Sequence, residues 1–112
     1  MINLKTLFRV MSISNIVILF KNLLLERGIY IICRDPRRAF AVIEAAVSLI
    51  YPFRWDLPKI LSYEPNYEFF MSPIPMIYYF NADKFRSEGL NGFDLSDKCL
   101  VYLDSDSIQE YC

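Results

Sequence analysis

Apolar and polar positions alternate along the chain in blocks that change period. From residue 16 the apolar positions 16, 17, 19, 20, 23, 24 and 25 recur at helical spacing over more than one narrow stripe, which predicts a helix over residues 14–27 buried on much of its surface. Ser12 or Ser14 supplies its N-cap, and Gly28 fits the left-handed position just past its end. Residues 29–33 are then continuously apolar, the pattern of a strand covered on both faces, as in parallel sheets. Asp35 and Pro36 read as N-cap and first residue of a second helix reaching to about residue 51. Glu44 and Ser48 form its only polar strip past the first turn, so it too is expected to be covered nearly all round, with Ile43 and Val47 towards the sheet. Further strands are predicted at 59–63, 76–80 and 99–103, with a short helix over 65–71 and an exposed loop over 81–97. Residues 1–11 hold Leu4, Leu7 and Phe8 but no evident cap, and leave the element there open.

Helix, strand and helix within about 30 residues is the rhythm of crossover connections. The expected fold class is α/β: a mostly parallel sheet of about four strands with crossover helices, in a single domain over residues 6–106, with 1–5 and 107–112 as flanking tails. Two nearly all-apolar helices cannot cover both faces of such a sheet. Part of the surface is therefore expected to be covered by a partner or by further chain.

Composition narrows the chemistry. The chain of 112 residues is 54% hydrophobic, with nine Phe, eight Tyr and one Trp, enough large rings to build a core. Twelve basic and 13 acidic residues give a net charge of −1, which is no nucleic-acid footprint. Arg34, Arg37 and Arg38 form a small basic group read as a solvated helix start, with an anion or partner site as the alternative. The absence of histidine removes Ser-His-Asp and Cys-His arrangements and His-ligated metal. Cys33, Cys99 and Cys112 show no CxxC spacing; Cys33 and Cys99 read as small hydrophobes, and reduced thiols fit the cytosol. With three glycines there is no phosphate-binding loop, so no nucleotide cofactor is expected. Asp104, Asp106 and Glu110 form an acidic cluster without calcium-loop spacing, read as a solvated strand end, and Glu64 and Glu68 are separated by Pro65. No apolar run reaches the ~18 residues a membrane span needs. No catalytic, cofactor or metal site is expected, and the candidate interaction site is the aromatic elbow at Arg54, Trp55 and Asp56.

Several segments, in order, resemble the central segment of the DENN domain family. Residues 7–16 resemble its opening helix, and Leu23-Leu24-Leu25-Glu26-Arg27 with the apolar strand after it resembles its most recognisable motif. Tyr51-Pro52-Phe53-Arg54-Trp55 is similar to its elbow, and Ser72-Pro73-Ile74-Pro75-Met76-Ile77 to its turn into a strand. Val101-Tyr102-Leu103-Asp104-Ser105-Asp106 resembles its last strand. Tyr78-Tyr79 stands where the family often has glycine, and Asp56 near the place of a frequent histidine. DENN modules are tripartite, with an upstream longin-like lobe and a downstream helical segment, and this chain is expected to correspond to the central part alone. The resemblance implies a non-covalent guanine-nucleotide exchange module for a Rab-type small GTPase in vesicle traffic, cytoplasmic and peripheral to vesicle membranes. The other DENN segments, or a partner, would cover its exposed apolar faces. The alternatives are a truncated or scaffold segment without exchange activity, and a small α/β enzyme on an unrelated sheet.

Overall fold

A computed structural model describes residues 4–50, 55, 57–61, 67, 70, 74–90 and 92–111. Within these, the order is α1 (Leu4–Val10), α2 (Ile13–Leu24), β1 (Gly28–Cys33), α3 (Pro36–Ser48), β2 (Lys59–Leu61), β3 (Ile77–Asn81), a 3₁₀ turn (Ser87–Leu90), β4 (Lys98–Tyr102), a second 3₁₀ turn (Leu103–Ser105) and β5 (Ser107–Tyr111). The strands form one sheet in the order β2-β3-β1-β4-β5. The first four are mutually parallel, and β5 returns antiparallel on β4. The α/β class and the mostly parallel sheet are as expected, with a fifth strand added at its edge.

That strand corrects the expected tail at 107–112: residues 107–111 pair with β4, Val101 opposite Ile108 and Cys99 opposite Glu110. At the other end α1 begins inside the expected 1–5 tail and sends Leu7, fully buried, into the core. The short helix expected over 65–71 lies mostly outside the described residues; Tyr67 and Phe70 are placed, each in a 3₁₀ turn.

β1 is central and buried at every position. Its alternate residues serve two cores. Ile29, Ile31 and Cys33 face α1, α2 and α3, together with Ile77, Tyr79, Cys99 and Val101 from the neighbouring strands. Tyr30 and Ile32 face away, with Tyr78, Phe80 and Leu100. The helices all lie on the first side. The second side is closed by side chains from irregular segments: Phe70, fully packed in, and Tyr67, Phe85, Leu90 and Phe93 around it. The expected shortage of layers is thus met there by the chain itself. Large rings bury 150–250 Å² each, so loops rich in them shield a sheet face that would otherwise need a helix.

Both long helices end earlier than their apolar runs. α3 stops at Ser48, where the Leu49 N–H turns back to the Ala46 carbonyl at 3.0 Å. It buries Ala39, Val42, Ile43, Ala45 and Ala46 but leaves Phe40 48% exposed, so it is covered on one side rather than all round. Ile43 is buried as expected, while Val47 is only partly buried at the edge of the same core. α2 closes in a Schellman arrangement: Glu26 N–H to Leu23 O at 3.1 Å and Arg27 N–H to Asn22 O at 3.1 Å. The left-handed residue is Glu26, φ 53°, not Gly28. Gly28 instead opens β1, where a Cβ would meet Lys98 Cδ at 3.0 Å and Tyr30 Cε2 at 3.2 Å. The glycine is needed for close approach, not for its sign of φ.

Candidate functional site

The expected elbow does not assemble as a surface triad. Trp55 is 8% exposed and packs into the helix-side core, and Arg54 and Asp56 lie outside the described residues. The indole Nε1–H is buried without an acceptor. Such a donor is costly to bury unpaired, so Trp55 is held by packing and leaves one polar valence open.

The acidic cluster after β4 has a structural use. Asp104 Oδ2 accepts the Arg34 backbone N–H at 3.0 Å, which joins the carboxyl ends of β1 and β4. Asp106, in the left-handed region at φ 49°, accepts the Ser12 N–H at 3.1 Å and the Asn15 amide at 3.0 Å, and so closes the start of α2. Glu110 Oε2 meets Lys21 Nζ at 2.8 Å and the amide of the fully buried Asn22 at 3.4 Å near the end of the same helix. The geometry is a matched pair of lengths. Four residues of extended strand from 106 to 110 span about 14 Å. The nine or ten helical residues from 12 to 21 or 22 span about 14–15 Å. The two carboxylates on the β4–β5 turn and β5 therefore clamp both ends of α2. The sequence signal for this clamp was Asn22, a polar residue in the middle of an apolar run.

The clamp predicts acid lability. Hydrogen bonds from Asn15 and then from Ser12 hold the Asp106 carboxyl below its usual value. The hydrogen bond from Lys21, joined by Asn22 and the Arg27 charge, does the same for Glu110, against a smaller opposing effect of burial. A carboxyl whose folded value is depressed stabilises the fold above its unfolded value, near ~4, and that stability is lost as pH falls through the lower folded value. Urea midpoints are therefore expected to hold from neutral pH down to about 5 and to fall below about 4. Glu110→Gln should start from a lower midpoint and lose less on acidification. A variant that tracks the wild type at every pH would remove Glu110 from the clamp.

Two crevices flank the sheet. One, of about 450 Å³, lies at the carboxyl ends of β1 and β4 and is lined by Arg9, Val10, Arg38, Leu103, Asp104 and Asp106. Its carboxylates are engaged as above, and Arg38 reaches Asp104 only at 3.7 Å. The other, of about 460 Å³, lies at the amino ends, between Glu26, Arg27, Pro75, Asp97 and Lys98. Neither places a nucleophile beside a base. Burial pushes the Cys99 thiol up to about 12, with the Glu110 charge adding to it, and raises Cys33 as well, so neither cysteine is a thiolate at neutral pH. What the arrangement offers is surface for binding rather than groups for bond-breaking. Among the described residues no helix is long and apolar enough to cross a membrane.

A family model, that of the DENN (AEX-3) domain, matches residues 1–106, nearly all the chain and the same stretch as the ordered motifs. No curated protein matches it.

Proposed function

Because the chain belongs to the DENN (AEX-3) domain family, we propose that it is the central module of a guanine-nucleotide exchange factor for a Rab-type small GTPase in vesicle traffic. The family match over residues 1–106 is the observation that carries this reading. Exchange needs no covalent step. The factor binds the nucleotide-free GTPase more tightly than the nucleotide-bound form, and only that difference in affinity accelerates release. A surface without a catalytic constellation suits this task. The module works in the cytoplasm at the periphery of vesicle membranes.

The elbow is proposed as a GTPase contact in which the two charges do the touching. Trp55, buried in the core, sets the position of the chain between Arg54 and Asp56. Stable interfaces bury about 1,200–2,000 Å² in total, more than one elbow provides, so the GTPase is expected to span several DENN segments.

A fluorescent-nucleotide release assay over a panel of Rab GTPases tests this. The 112-residue chain alone should accelerate release little. The same chain joined to upstream and downstream DENN segments should accelerate it strongly for at least one GTPase. In that longer protein Arg54→Glu should lower the rate by about tenfold, the size expected for a ~1.4 kcal/mol contact, with an unchanged Tm. Trp55→Ala should lower the Tm as well, because it opens a cavity. GTPase binding with no acceleration by the tripartite protein would identify a scaffold instead.

A further inference from the structure

Seven large apolar side chains among the described residues are exposed, and six of them, Phe8, Ile13, Val17, Leu24, Leu25 and Phe40, belong to the helical layer. α2 is apolar twice over. At 100° per residue, Ile16, Leu19 and Leu23 point to the sheet, while Ile13, Val17, Phe20 and Leu24 share a second line about a third of a turn away. That line is convex, with Ile13 69% and Val17 59% exposed.

The charge around it has one sign. α1 and α2 carry Lys5, Arg9 and Lys21 and not one carboxylate. The acidic groups that reach α2 are Asp106 and Glu110, through Asn15 and Asn22, which lie about half a turn from the exposed line. Lys21 shares its charge with Glu110; Arg9 has no partner among the described residues.

These features select an occupant. A second copy would set Lys5 and Arg9 against their own kind across a two-fold axis, and like charges repel. A partner helix lying in a groove requires concavity, and the line protrudes. A lipid interface moulds itself to a convex apolar ridge and rewards basic neighbours. We propose that the α1–α2 face docks on an anionic phospholipid surface. Ile13, Val17 and Leu24 enter the interfacial region, with Arg9, Lys5 and Lys21 at headgroup level. No GTPase takes part in this docking, so it stands or falls apart from the exchange reading.

The test is flotation of the full chain with vesicles of phosphatidylcholine alone or mixed with phosphatidylserine. Binding is expected to the mixed vesicles, to weaken with salt, and to be at least about tenfold weaker to phosphatidylcholine alone. Val17→Glu and Leu24→Glu, both at exposed positions, should abolish it with unchanged circular dichroism and Tm. Arg9→Glu should reduce it by about tenfold or more, and Lys84→Glu, outside the helical layer, should not. Equal binding to neutral and anionic vesicles, no binding to either, or a dimer that Val17→Glu dissolves would each overturn the proposal.

Discussion

Ile43→Asp is expected to abolish cooperative unfolding and leave a chain with no thermal transition. Ile43 is buried among the three helices and the sheet, in the core that also holds Ile29, Ile31 and Ile77. A carboxylate there loses the apolar burial and adds a charge without a partner. Breaking such a site costs about 3–5 kcal/mol, and the lost side-chain burial adds about 1.5–3 kcal/mol. Domains of this kind hold only ~5–15 kcal/mol in all. Ile43→Val, which removes one methyl, should cost about 0.5–1.5 kcal/mol and keep the transition. Val47→Asp should be milder than Ile43→Asp, since Val47 is half-buried and its charge can reach water. Circular dichroism during heating decides it. An Ile43→Asp protein that melts cooperatively near the wild-type Tm would show that α3 does not face the sheet through this residue.

Phe80→Ala is expected to remove about 3–5 kcal/mol, seen as a lower urea midpoint at nearly constant slope. Phe80 is fully buried at the centre of the second core. Its ring lies 4.6 Å from Tyr78 and 5.5 Å from Phe70, Tyr67 and Phe85, centre to centre. Most of these partners sit on irregular backbone and cannot close the cavity by moving as a unit. Phe85→Ala, at a half-buried ring on the rim, should cost visibly less. If the two variants lost equal stability, the loop side chains would not form an organised layer on this face.

The α/β order and the parallel strands were legible because their signals are local. The unbroken apolar run of β1 and the Asp35-Pro36 start of α3 each need only a few neighbours to be read. What escaped depends on distant partners. Gly28 stands where a helix end wants a glycine, but its real constraint is the Lys98 side chain from β4. β5 has weak alternation and became visible only through pairing with β4 and the reach of Glu110 to α2. The aromatic layer has no periodicity at all, since its rings come from segments without regular backbone. Trp55 looked like a surface anchor because Trp beside two charges often is one. Its burial is decided by the core it enters, which the neighbouring residues do not reveal.

The strand order also has a consequence for synthesis on the ribosome. β1 is made early, yet its partners are residues 77–81 and 98–102. Until β3 has emerged, a fully apolar strand and the inner lines of three helices have no sheet to join. The one strand pair joined by a short turn, β4 with β5, is made last. Non-local pairing of this kind folds slowly and leaves sticky intermediates exposed, so the nascent chain is a natural client for chaperones while residues 34–76 are being translated.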